Sequence, residues 1–118
     1  MQRLLIVEDQ PEISVAIAEW LMIKGIACET YRTATGALRA FRATHFSAVL
    51  LDIHLGGGMT GLELAQKLRS VDEKLIIILF SAVHYSPVVR RAVDLIGGYF
   101  LEKPINMARL FELIEPSR

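Results

Sequence analysis

Three stretches of the chain are apolar without alternating: Leu4-Leu5-Ile6-Val7, Ala48-Val49-Leu50-Leu51 and Leu75-Ile76-Ile77-Ile78-Leu79-Phe80. A strand with one wet face alternates between apolar and polar, whereas a strand covered on both faces does not. These runs therefore predict parallel strands inside a helix-clad sheet. Between and after them, apolar residues return at helical spacing: Ile13, Ile17, Trp20 and Leu21; Leu38 and Phe41; Leu64, Ala65 and Leu68; Val89, Ala92, Val93 and Ile96; Met107, Leu110, Phe111 and Ile114. Each set draws one apolar stripe along a helix, so five helices are predicted. Two weaker strands, Ala27 to Tyr31 and Tyr99 to Leu101, complete an unbroken strand-helix alternation.

Local punctuation keeps the same phase. Pro11 suits the first turn of the first helix, Thr60 with Glu63 has capping-box spacing, Ser86-Pro87 reads as a cap and first position, and Asn106 can cap the last helix. Lys24-Gly25 and Gly97-Gly98 read as helix ends. Alternation of this kind gives a parallel α/β sheet, and units of about 20 to 25 residues suit an open doubly wound sheet better than an eight-fold barrel.

Length adds that all of this is one unit: 118 residues leave no room for a second folded domain. Thirteen basic and thirteen acidic side chains cancel, so the net field offers no prior for nucleic acid or an anionic membrane. The longest apolar runs are far short of the roughly 20 residues that cross a bilayer. Glu8-Asp9 comes too early for a signal peptide, and a cytoplasmic protein is expected. Cys28 is the only cysteine, which excludes an internal disulfide and a cysteine-based zinc site.

Open α/β sheets bind ligands at the C-terminal ends of their strands. The residues just past those ends are all polar: Glu8 and Asp9, Asp52, Ser81 and Lys103. Any one of them alone is an ordinary loop residue; the set on one rim is a site. Converging carboxylates repel, and one must protonate unless a cation neutralises them. A hard divalent ion with oxygen ligands answers that need, and Mg²⁺ fits best because it takes one or two carboxylates, a phosphate and waters. A metal, a nucleophilic carboxylate, a hydroxyl and an ammonium are the parts of phosphoryl transfer to an aspartate.

With those residues in this order, the chain resembles the receiver domain of two-component response regulators over essentially its whole length. The resemblance rests on Glu8-Asp9, on Asp52 in Leu50-Leu51-Asp52-Ile53, on Ser81-Ala82 and on Lys103-Pro104. It implies a flavodoxin-like fold with strand order 2-1-3-4-5 and a single receiver domain over residues 1 to 118, with no effector domain in this chain. Asp52 would be the phosphoacceptor for a sensor histidine kinase or phosphotransfer protein. Mg²⁺ would be held by Asp9, Asp52 and the backbone carbonyl of His54, with Glu8 acting mainly through water. Ser81 and Lys103 would contact the phosphoryl oxygens, Lys103-Pro104 would be a cis peptide, and Phe100 would be the switch aromatic. Drawing Ser81 toward the phosphoryl group would open space for Phe100 to turn inward. Output would pass to a protein partner, not directly to nucleic acid or a membrane. It would use the face of the fourth helix, fifth strand and fifth helix, where Val88, Arg91, Tyr99 and Arg109 are candidates for exposure, unless Tyr99 packs inward. A monomer or weak dimer is expected.

The loop after Asp52 departs from the family. His54-Leu55-Gly56-Gly57-Gly58-Met59-Thr60-Gly61 has a glycine where a proline is common and one residue more before Gly61. Three glycines lose more backbone entropy on ordering than a proline-bearing loop does. His54 and Val83 occupy positions that look over the incoming water in this family; His54 either tunes hydrolysis or is a loop histidine without a role. His45, His54 and His84 have no metal-ligand spacing among themselves. Gly56-Gly57-Gly58 lacks the spacing and lysine of a nucleotide loop, and Trp20 reads as core or partial interface. Two alternatives use similar parts. A haloacid dehalogenase-like phosphatase needs an acid where His54 stands. A flavodoxin-like FMN carrier needs a phosphate loop where Glu8-Asp9-Gln10-Pro11 would repel phosphate.

Overall fold

The computed structural model describes residues 2–42, 45–82 and 85–115. Strands and helices alternate as β1 (Arg3–Val7), α1 (Pro11–Ile23), β2 (Ala27–Tyr31), α2 (Ala34–Ala40), β3 (Ala48–Asp52), α3 (Gly61–Val71), β4 (Ile76–Ser81), α4 (Pro87–Ile96), β5 (Tyr99–Glu102) and α5 (Met107–Ile114). The sheet is parallel, in the order β2-β1-β3-β4-β5. The three unbroken apolar runs are its three central strands, and the two weaker ones are its edges.

Successive side chains of a strand face opposite ways, and each central strand divides its residues between two cores. Leu5, Val7, Val49, Leu51, Ile77 and Leu79 pack on the side of α2, α3 and α4. Leu4, Ile6, Leu50, Ile78 and Phe80 pack on the side of α1 and α5. Both faces are covered, which is why the runs do not alternate.

The expected caps are in place. Thr60 and Glu63 form the full capping box, Ser86 accepts from the Val89 N–H, and Asn106 accepts from the Arg109 N–H. Gly25 and Gly97 take positive φ at the ends of α1 and α4. β3, β4 and β5 each run one residue further than the sequence pattern, to Asp52, Ser81 and Glu102, and the pattern misplaces two apolar residues. Leu75 lies ahead of β4 in a turn, with its N–H bonded to the Asp72 carbonyl, although its side chain is buried. Phe41 lies just past α2 in extended conformation and stacks on Phe46 at 5.9 Å. It fills the core from outside the helix, so its spacing from Leu38 mimics a helical stripe. Val83, His84 and Pro116-Ser117-Arg118 lie outside the described residues.

Candidate functional site

Register brings the polar residues together. Val7 pairs with Leu51, so Glu8, one residue on, stands level with Asp52 at the end of β3. Asp52 pairs with Phe80, which puts Ser81 one step further along the next strand, and Ser81 pairs with Glu102, directly before Lys103. The Lys103 N–H donates to the Ser81 carbonyl at 2.9 Å, and the Lys103-Pro104 peptide is cis. Five residues from four strand ends thus meet on one rim.

The site is unusual in how much charge it buries. Glu8, Asp52 and Ser81 are 0, 4 and 2% exposed. Ionised groups are rarely placed so deep unless paired. The Lys103 ammonium lies 2.8 Å from Glu8 Oε1 and 3.0 Å from Asp52 Oδ2, with the ring of Phe80 beneath it at 4.9 Å. The other Asp52 oxygen, Oδ1, accepts from the His54 N–H at 2.9 Å, and Glu8 Oε2 accepts from the Gln10 N–H at 3.0 Å. Burial, together with the neighbouring Asp9 and Asp52 carboxyls, raises the Glu8 carboxyl above its ordinary pKa, although the Lys103 ammonium and the Gln10 N–H pull it down. Burial acts to lower the Lys103 ammonium, but its contacts with Glu8 and Asp52 outweigh that and leave its pKa raised. Lys103 therefore stays charged.

One cation does not balance this cluster. Carboxylate oxygens of Glu8, Asp9 and Asp52 all lie within 4.8 Å of one another. Glu8 Oε1, although close to Lys103, has no hydrogen bond aligned on it and is fully buried. A buried carboxylate oxygen with a vacant acceptor position, beside two more carboxylates, is a donor set that suits a hard divalent cation such as Mg²⁺.

The floor of the site depends on a glycine. Gly61 opens α3 directly against the end of β3, where a Cβ would stand 2.0 Å from the Asp52 carbonyl oxygen. The Gly61 N–H donates to the Ile53 carbonyl at 3.2 Å. Only glycine lets α3 begin this close to the strand that carries Asp52. In the intervening loop, Gly57 and Gly58 have φ of 80° and 114°, which side chains rarely adopt, while Leu55 is buried and anchors the loop.

The remaining residues are placed as follows. Phe100 is half-buried and stacks on Tyr85, with ring centroids 4.1 Å apart and planes 4° apart. Tyr99 is exposed, not packed inward, and Val88, Arg91 and Arg109 are exposed too. The His54 side chain is exposed, and His45 lies on the far edge beside Glu29 at 3.5 Å. Trp20 is half-buried, edge-on to Phe111 at 6.1 Å, and lines a groove of about 710 Å³ that reaches Ala82, Lys103 and Pro104. One rim contact has no signal in the sequence pattern: Arg32, just past β2, donates to the Asp9 carbonyl at 3.3 Å. Position after a strand end was the clue available, since Arg32 follows β2 as Glu8 follows β1.

Comparison with known proteins agrees with this geometry. The profile of the response regulator receiver domain matches residues 4–115. The nitrogen assimilation regulatory protein NtrX of Azorhizobium caulinodans is 34% identical over 114 residues, which are 95% of this chain and 25% of NtrX. The transcriptional regulatory protein TcrA of Mycobacterium tuberculosis is 31% identical over 111 residues, 92% of this chain and 43% of that protein. The chain thus spans a quarter to about half the length of the curated relatives it matches. Among solved structures, the non-phosphorylated HemR receiver domain of Leptospira biflexa superposes with a TM-score of 0.90 at 25% identity, covering 100% of this chain and 98% of that one. The response regulator TrrA of Thermotoga maritima, in complex with Mg²⁺ and BeF, is 32% identical with a TM-score of 0.79 over 95% of each chain. The chain belongs to the response regulator receiver domain family. As a receiver domain it is a phosphoacceptor signalling module of two-component systems, and the phosphatase and FMN-carrier alternatives fall away. No helix among the described residues is long and apolar enough to cross a membrane.

Proposed function

We propose that Asp52 is the residue phosphorylated, by a phosphohistidine on a sensor histidine kinase or phosphotransfer protein, in a cytoplasmic setting. The observation that carries this reading is the position of Asp52. It is the one carboxylate at the end of the central strand, held from two sides by the His54 N–H and the Lys103 ammonium, with Glu8 and Asp9 beside it. Attack by an Asp52 carboxylate oxygen forms a P–O bond as the donor's P–N bond breaks, and the bonding pair leaves with the imidazole. Glu8, Asp9 and Asp52, with the His54 carbonyl, would hold Mg²⁺, which supplies charge neutralisation for the transferring group. The Lys103 ammonium, its pKa raised by Glu8 and Asp52, lies 3.0 Å from the acceptor carboxylate, so it can hold a phosphoryl oxygen without moving far. Ser81, at the end of the adjacent strand, offers its hydroxyl to the same group.

Output is read as a protein contact through α4, β5 and α5. Val88 and Leu95 on α4 are 79 and 77% exposed, and Tyr99 on β5 is 46% exposed. The whole of residues 1 to 118 serves as this one receiver, a monomer or weak dimer before phosphorylation. The test is labelling with acetyl phosphate. An acid-stable, hydroxylamine-labile adduct is expected in wild type, lost in Asp52→Asn and lost with EDTA. Equal labelling of Asp52→Asn overturns the assignment.

A further inference from the structure

The two ends of α4 are held in different ways. At its C-terminus, Gly97 takes left-handed φ and the Gly97 and Gly98 N–H groups return to the Asp94 and Val93 carbonyls. That arrangement leaves the Ile96 and Gly97 carbonyls without partners inside the helix. Arg69, in the last turn of α3, takes both: Nε donates to the Ile96 carbonyl at 2.7 Å and Nη2 to the Gly97 carbonyl at 3.4 Å. Its Nη1 also donates to the Asp72 and Glu73 carbonyls, at 3.1 and 2.9 Å, just past the end of α3. One guanidinium, bonded to four carbonyls and, among the described residues, to no carboxylate, therefore sits at the negative ends of two helix dipoles and fastens them together. Next to it a Cβ on Gly98 would stand 3.0 Å from the Ile77 carbonyl oxygen, so the chain leaves α4 pressed against β4.

The other end of α4 has no such fastening across helices among the described residues. Ser86 caps the helix from within its own turn, accepting the Val89 N–H at 3.2 Å. The longer-range contact there is the stack of Tyr85 on Phe100, two rings that can slide at little cost. This end is also the one joined to Ser81.

We propose that Arg69 makes the C-terminal end of α4 a fixed pivot. The helix then answers a change at Ser81 by swinging its Ser86 end, with Tyr85 and Phe100 moving as a pair, while Ile96 and Gly97 stay in place. Arg69 is a positioning residue in this account and touches nothing at the phosphorylation site. The stimulus rests on the receiver reading above; the anchor does not.

Amide exchange and amide chemical shifts of the full chain separate the two. Without ligand, exchange at Gly97 and Gly98 should be slow. Arg69→Lys keeps the charge but cannot reach both pairs of carbonyls, and it should speed that exchange about tenfold while leaving residues 89 to 91 unchanged. With Mg²⁺ and beryllofluoride, wild-type shift changes should be largest from residue 85 to 91 and fade toward 98, whereas in Arg69→Lys they should extend to 98. Unchanged exchange at Gly97 and Gly98 in Arg69→Lys, or equal wild-type changes from 87 to 98, overturns the pivot. Should Arg69→Lys not fold, the wild-type gradient decides alone. Absence of any response at Asp52, His54 and Ser81 overturns the phosphoacceptor reading, and the ligand-free exchange still decides the anchor.

Discussion

Each end of the sheet places a cation among oxygens, with opposite balance. At the far end, Arg69 distributes its donors over four carbonyl oxygens, and the helix ends around it are closed. At the rim, Lys103 faces two buried carboxylates with a third close by, and one oxygen of Glu8 has no hydrogen bond. The first arrangement is saturated and serves the fold. The second is short of positive charge and keeps stability in reserve for an ion or a phosphoryl group. A buried polar cluster is thus informative by its balance: a filled one fastens, and an under-filled one binds.

The sharpest way to break this contrast is at the floor of the rim. Gly61→Ala places a Cβ against the backbone of Asp52, which cannot give way, and should cost on the order of 3 kcal/mol or more in chemical denaturation. Gly98→Ala, facing the Ile77 carbonyl at 3.0 Å, should cost distinctly less. Comparable costs would mean that the two ends are equally tight.

Next in size is the exchange of each cation for a neutral amide. Lys103→Gln leaves two buried carboxylates uncompensated and should cost about 3 kcal/mol at pH 8 without metal. The sign with pH follows from Glu8. Its pKa is raised above 4.5 in the fold, so the stability linked to its neutral form is complete below 4.5 and lost as pH rises through the raised value. The Lys103→Gln deficit should therefore shrink toward pH 4.5, and Mg²⁺ should recover part of it by mass action. Lys103 itself, raised above 10.5, keeps its contribution throughout this range. Arg69→Gln should cost about 1 to 2 kcal/mol, unmoved by Mg²⁺. Rescue of both variants by Mg²⁺, or of neither, would erase the distinction between a filled and an under-filled cluster.

The smallest effect lies in the loop. Gly57 and Gly58 need their positive φ, whereas Gly56 does not and has open space at its Cβ. Gly56→Ala should stabilise by about 0.5 kcal/mol through the unfolded chain, a rise of a few degrees in thermal unfolding.

What could be read from the sequence was what repeats or stands at a strand end. Unbroken apolar runs located β1, β3 and β4, and the polar residues at or just past the ends of β1, β3, β4 and β5 supplied the rim. Arg69 and Ile96 are 27 residues apart and share no period, so nothing local announces their bond. The need for glycine at position 61 comes from the height at which α3 meets β3, a property of packing. Phe41 shows the reverse case: its spacing looked helical, but burial against Phe46, not helix membership, holds it in the core.

Trp20 is the only tryptophan in the chain and sits on the α1 and α5 side of the sheet, with the Lys24 ammonium 5.1 Å from its ring. It lines the groove that opens beside Lys103, while Tyr85, Phe100 and Arg69 all lie across the sheet from it. The protein therefore carries its own optical probe, and that probe has a direction. Its emission will track whatever enters the groove beside Lys103 and will be nearly silent to motion of α4, so events on the two faces of the sheet can be timed separately in one unlabelled sample.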